Sequence, residues 1–288
     1  MKLKRLRRRS GGTRLATGGG GGMRGMGMPI GGAGSIGGVG LVVVIAVVLI
    51  SMWLSNQGDG ASNLAPGGGA EASVDPTTRE FVDAVMDDVQ ITWDEEFTRT
   101  GRAYEFTEVT LFDGSVSTGC GNATSAVGPF YCPLDNFVYL DVSFFRELEN
   151  RFGAAGDFAE AYVIAHEVAH HVQHLEGTEQ EVRRLSEQQP GRANELSIRL
   201  ELQADCYAGF WGRAANAIGA LSPGDLEEGL NAAEAIGDDR IQESVNGRVN
   251  PESWTHGSAE QRSRWLNTGF QVGNPDACDT FSVPFGQL

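Results

Sequence analysis

The sequence predicts a helix-dominated α+β body with a small sheet, preceded by a single transmembrane helix. Three observations carry this reading. Residues 36–54 (IGGVGLVVVIAVVLISMWL) are uncharged and almost wholly apolar. Two short pieces, 104–112 and 136–145, are rich in aromatic and β-branched residues. Five segments from 156 onward carry apolar residues at helical spacing, punctuated by Gly, Pro and Ser.

Residues 1–35 open the chain with Lys2, Lys4, Arg5, Arg7, Arg8, Arg9, Arg14 and Arg24 and no acid. The Gly-rich part of this stretch cannot bury a core, so it reads as a disordered basic tail. Residues 36–54, as a helix rising about 1.5 Å per residue, would be roughly 28 Å long, close to the hydrocarbon thickness of a bilayer. Trp53 sits at the end of the run, where interfacial aromatics belong. Cations flank it only on the N-terminal side, which places the tail in the cytoplasm and the body outside. A cleaved signal peptide is the other reading. No small-x-small cleavage site follows Leu54, which favours an uncleaved signal anchor in the cell membrane. Residues 55–77, polar with Gly, Pro and Ser, form a linker.

The body occupies residues 78–288, a normal size for one domain. A first helix is expected from Thr78. A mixed stretch, 102–145, holds the strand-like pieces. Helices are then expected over 156–177, 178–188, 192–217, 222–237 and 258–270. The 288-residue chain has 22 Lys and Arg against 38 Asp and Glu, net −16. After residue 40 the balance is 14 Arg against the same 38 acids. A body this acidic repels polyanions, so nucleic-acid binding is excluded.

The chemistry centres on His166-Glu167-Val168-Ala169-His170. On a helix, positions i and i+4 share a face, so two imidazoles there can hold one Zn²⁺ while the intervening Glu167 reaches a water on the metal. A catalytic zinc needs a third protein ligand and an open fourth position. Glu201-Leu202-Gln203-Ala204-Asp205 repeats the i, i+4 spacing with two acids amid bulky apolar neighbours. Glu201 is assigned as third ligand. Asp205 is assigned to accept a hydrogen bond from a ligating imidazole and fix its tautomer. His174 lies about 12 Å along the helix from His166, too far to share a zinc. His171 points about 100° away from His170. Both read as outlying or surface residues. His256 and Arg262, six apart across an expected helix start, are the candidates for stabilising an oxyanion beside the metal.

Four segments in order, GPFYCPLDNFVYLD, HEVAHHVQ, ELQADCYAGFW and THGSAEQRSRWLNTGF, resemble the bacterial putative neutral zinc metallopeptidase family. The resemblance runs from about residue 75 to the C-terminus and includes the anchor position. It implies a zincin-like metallopeptidase domain with a gluzincin-type ligand set. In this sequence that set is His166, His170 and Glu201 on one zinc ion, with Glu167 as base. The Glu-x-x-Ala-Asp and His-x₅-Arg elements are also similar to those of membrane heat-shock and CAAX-processing metalloproteases. That likeness supports the roles of Asp205, His256 and Arg262. The resemblance further suggests that the strand at 136–141 runs beside the cleft and pairs with an extended substrate.

Four cysteines permit three pairings. The local bridge Cys120–Cys132 with Cys206–Cys278 is the expected one in an extracytoplasmic body, with zinc ligation by cysteine as the rival reading. The expected function is a membrane-anchored zinc peptidase acting on a peptide or protein substrate, its bilayer contact made by residues 36–54. The alternatives are a catalytically silent zincin-fold binding or scaffold domain at the membrane and a metal-dependent hydrolase of another bond.

Overall fold

Helix α1, Pro76–Arg99, begins two residues before the expected start, because Pro is tolerated in the first turn, where no intrahelical N–H bond is lost. Its buried face carries Val82, Val85, Val89, Trp93 and Phe97. The structure, a computed structural model, describes residues 1–9, 14–15, 74–150 and 152–288. The expected membrane span at 36–54 and nearly all of the linker lie outside the described residues. Among those described, no helix is long and apolar enough to cross a membrane.

The sheet has four strands: β1 (Arg14–Leu15), β2 (Glu108–Phe112), β5 (Phe130–Cys132) and β6 (Phe137–Asp141), in the order β1-β2-β6-β5. β2 pairs in parallel with β1 and β6, while β5 closes the sheet antiparallel to β6. Strands β3 (Ser115–Thr118) and β4 (Gly121–Thr124) form a separate hairpin. The stretch 136–145, read as one strand-like piece, changes direction at Asp141. The Asp141 carboxylate accepts the Ser143 N–H at 2.7 Å, and α2, Val142–Asn150, starts there. A capping bond of this kind ends extended structure even within an aromatic, β-branched run.

Helix α3, Asp157–Glu176, runs through the core with nearly its whole length buried, and Gly177 stops it in the left-handed conformation. Around it stand α4 (Thr178–Gln188), α5 (Ala193–Ala217), α6 (Asp225–Ala235), α7 (Asp238–Asn246) and α8 (Ala259–Val272). Helix α7 has no counterpart in the sequence reading. Helices α5 and α8 cross with their backbones almost touching. A Cβ at Gly209 would lie 2.0 Å from the Leu266 carbonyl oxygen, and one at Gly269 1.9 Å from that of Cys206. Only glycine allows this approach, and it brings Arg262 of α8 over Asp205 of α5.

Both expected disulfides are present, Cys120–Cys132 and Cys206–Cys278. The first ties the β3–β4 hairpin to β5. The second ties α5 to the C-terminal segment, one residue from Asp205.

Of the tail expected to be disordered over 1–35, residues 1–9 and 14–15 are built into the fold, and the rest lies outside the described residues. Residues Leu3–Arg5 form a turn of 3-10 helix, Leu6 is buried in the main core, and β1 extends the sheet. Single apolar residues among six cations look like a solvated run in sequence, and only the acidic surface opposite gives those cations a place.

Candidate metal centre

His166 and His170 stand one turn apart on α3, with ring centroids 4.8 Å apart. Glu201 reaches them from α5. Its carboxylate oxygens lie 3.2 Å from His166 Nε2 and 3.6 Å from His170 Nε2. Two ligand atoms each about 2.1 Å from a tetrahedral zinc are about 3.4 Å apart, and each imidazole nitrogen has one Glu201 oxygen near that distance, Oε2 for His166 and Oε1 for His170. All three side chains are buried, and their ligand atoms lie within 4.8 Å of one another. Two imidazole nitrogens and a carboxylate oxygen form a donor set that suits zinc.

The other ring nitrogens are committed. His166 Nδ1–H donates to Asp205 Oδ1 at 2.8 Å, and His170 Nδ1–H donates to Gln173 Oε1 at 2.9 Å. With Nδ1–H committed in this way, both Nε2 atoms face Glu201 and are the ring atoms left to bind a metal. Gln173 is itself fixed, donating to the Leu200 carbonyl at 2.8 Å and to Gln203 Oε1 at 3.0 Å.

Asp205 is completely buried. Besides His166 it accepts from the Tyr162 hydroxyl at 2.6 Å and from Arg262 Nε at 2.9 Å and Nη2 at 3.0 Å. Burial works against its charge, but Arg262 and His166 hold its pKa below the ordinary carboxylate value. Burial also opposes a charged His166. Its two acidic neighbours overcome that and raise its pKa to about 10 in the metal-free protein. Glu201, likewise buried, is held low by the imidazoles around it. Glu167 is pushed up, chiefly by burial, with the two histidines pulling the other way.

Glu167, the three candidate ligands, His256 and Arg262 line one cleft of about 480 Å³. Its walls include Phe130, Phe144, Phe152, Val163, Ile236 and Ile241. His256 Nδ1 is bound by Asp238 Oδ1 at 3.1 Å. The other Asp238 oxygen accepts the backbone N–H groups of Thr255, His256 and Gly257. Burial opposes charge on His256, and Asp238 nevertheless raises its pKa. Arg262 differs from the sequence reading in where its donors go. They are spent on Asp205, the Tyr162 hydroxyl and the Ile236 carbonyl.

The remaining histidines stand off the site. His174 pairs with Glu179 at 2.8 Å. His171, expected at the periphery, is buried and ties α3 to the Tyr131 hydroxyl and the Glu105 carbonyl, and burial lowers its pKa to about 4. The strand at 136–141 does not offer a free edge to a substrate. β6 is hydrogen-bonded to β2 on one side and β5 on the other. The edge strand next to β6 is β5, and the segment leading into it, residues 125–129, lines the cleft.

Tyr162, Gln173 and Asp238 were not singled out in the sequence. Tyr162 is four residues before His166 and Gln173 three after His170, so helical spacing was the available signal for both. Asp238 carries no such signal, being 18 residues from His256.

The family model described as putative neutral zinc metallopeptidase matches residues 4–281. An uncharacterized protein of Escherichia coli K12, YpfJ, is 47% identical over 213 residues, which is 73% of this chain and 74% of that protein. An uncharacterized protein of Mycobacterium tuberculosis H37Rv, Rv2575, is 50% identical over 184 residues, 60% of this chain and 61% of its own length. No solved structure matches the chain.

Proposed function

The chain belongs to the putative neutral zinc metallopeptidase family, and from that premise we propose that it is a zinc-dependent peptidase that cleaves peptide bonds next to bulky apolar side chains. One observation carries the reading. Two Nε2 atoms, their rings held by the buried Asp205 and Gln173, and the Glu201 carboxylate come within reach of one metal ion, beside a carboxylate whose pKa is raised. The apolar cleft walls supply the substrate preference.

His166, His170 and Glu201 would hold the metal. Bound there, zinc supplies a Lewis acid that lowers the pKa of a water molecule toward neutrality. Glu167 removes a proton from the attacking water as its oxygen bonds to the scissile carbonyl carbon. It returns that proton to the amine nitrogen as the C–N bond breaks. His256, with Nδ1 held by Asp238, presents Nε2–H to the developing oxyanion. Arg262 acts one step back, holding Asp205 and through it the His166 ring. In this reading residues 36–54 attach the enzyme to a bilayer.

The test is metal analysis of the purified full chain together with cleavage of casein and a peptide library, with and without a chelator. One equivalent of zinc and chelator-sensitive cleavage are expected. Zinc bound without any cleavage would leave a silent scaffold domain. Cleavage that survives complete metal removal would overturn the mechanism.

A further inference from the structure

The first nine residues are built into the body. Leu6 is 5% exposed and sits in the main core. The Lys2 N–H donates to the Ala220 carbonyl at 2.7 Å. The Met1 ammonium lies 2.6 Å from Asp157 and 3.2 Å from Asp225. Arg9 donates its N–H to Asp87 at 2.9 Å and lays its guanidinium 3.2 Å from the centroid of Phe106, an otherwise exposed ring.

The decisive contact is at Asp88, which is wholly buried. Its Oδ1 accepts the Arg7 backbone N–H at 3.0 Å and Arg7 Nε at 2.7 Å, and its Oδ2 accepts Trp211 Nε1–H at 2.9 Å. Remove the Arg7 side chain and the buried carboxylate keeps two neutral donors, the backbone N–H of residue 7 and the Trp211 indole, and loses its counter-ion. An unpaired buried charge of this kind is strongly destabilising. The body therefore needs the arm. Farther on, β1 adds its two residues to the edge of the sheet beside Thr110 and Leu111. Charge complements shape here: the first 40 residues hold eight cations and no acid, and the rest of the chain is net −24.

These contacts have a topological consequence. One crossing of a bilayer between residues 15 and 74 would put about 30 Å of hydrocarbon between the arm and the surface it occupies. We propose that residues 1–9 and 14–15 and the metallopeptidase body lie on the same side of the membrane, with the arm strapped to α1, α3 and α6 of its own chain. This replaces the expected arrangement of a cytoplasmic N-terminus and an extracytoplasmic body, and it does not depend on the peptidase reading.

The sequence supplies its own probe. Lys2 and Lys4 are the only lysines in the chain, and both are exposed. Spheroplasts expressing the full chain with Glu187→Cys, an exposed position on α4, are treated with a membrane-impermeant amine reagent and a membrane-impermeant maleimide. Mass spectrometry scores the arm lysines and the introduced thiol before and after lysis. Both labels entering intact spheroplasts, or both entering only after lysis, is the expected result. One label entering before lysis and the other only after would overturn the proposal. In a second measurement, Arg7→Ala in the purified full chain should lower the unfolding midpoint by several degrees. An unchanged midpoint would show that Asp88 does not need the arm, and would refute the strap.

Discussion

Replacing Asp205 by Asn tests the support of the metal centre with little change of volume. The carboxylate accepts four hydrogen bonds within the site, from His166, Tyr162 and twice from Arg262. An amide has one accepting oxygen, so its NH₂ must face an N–H or O–H donor. It also carries no charge, and Arg262, 3% exposed, loses its counter-ion. Breaking a buried ion pair from one side costs about 3–5 kcal/mol. In a body of this size that is a fall of roughly 6–20 °C in the unfolding midpoint. Separately, loss of the partner that orients a ligating imidazole weakens metal binding about 10- to 100-fold. The two effects are read apart, by denaturant unfolding of the metal-free protein and by zinc titration against a chromophoric chelator. The double substitution Asp205→Leu with Arg262→Met removes both charges. It should recover much of the stability while leaving zinc affinity low. An Asp205→Asn protein within about 0.5 kcal/mol of the parent, with unchanged zinc affinity, would refute the assignment of Asp205 as the residue that holds His166.

Three further outcomes follow from the same geometry. Glu167→Gln should keep zinc and lose hydrolysis by at least about 10²-fold, the scale of general base catalysis, and a peptide cleavage assay showing equal activity would remove Glu167 from the mechanism. Gly269→Ala puts a Cβ 1.9 Å from the Cys206 carbonyl oxygen. Prising α5 from α8 should cost about 1–3 kcal/mol in urea unfolding, and an unchanged midpoint would mean the crossing is looser than described. The metal-free protein should lose stability between about pH 6.5 and 10. His166 has its pKa raised from 6.5 to about 10, so its contribution is complete below the unfolded value and disappears as pH rises through the folded one. With zinc bound, the ligating ring is deprotonated throughout and this slope should vanish; parallel apo and zinc-loaded unfolding curves across that range would contradict the ligand assignment.

The pairing of the candidate ligand residues was legible because helix geometry fixes it. His166 with His170, and Glu201 with Asp205, are each one turn apart, so naming the helix already placed each pair on a single face. What sequence spacing does not carry is the relation between faces. That α3 meets α5 with Glu201 opposite the imidazoles depends on long-range packing, and the backbone approach at Gly209 and Gly269 that sets Arg262 over Asp205 is written only as two small residues 60 apart. The role of Arg262 shows the consequence. The spacing suggested that either His256 or Arg262 could stabilise the oxyanion, whereas the fold turns Arg262 toward Asp205 and gives His256 a partner of its own, Asp238.

The basic arm went unread for a related reason. A run of like charges is assigned to solvent because no local partner balances it, and positive charge ahead of an apolar segment is then taken as a topology signal. Both rules weigh neighbours along the chain. The groups that balance Arg7 and Arg9 are Asp88 and Asp87, about 80 residues away on a helix whose apolar spacing alone made it look like a core element. On α1 those two acids were the signal. A helix that buries consecutive carboxylates beside a tryptophan indole must receive a cation from somewhere. In a body with only 14 Arg after residue 40, the concentrated supply at the start of the chain is where such a cation is found.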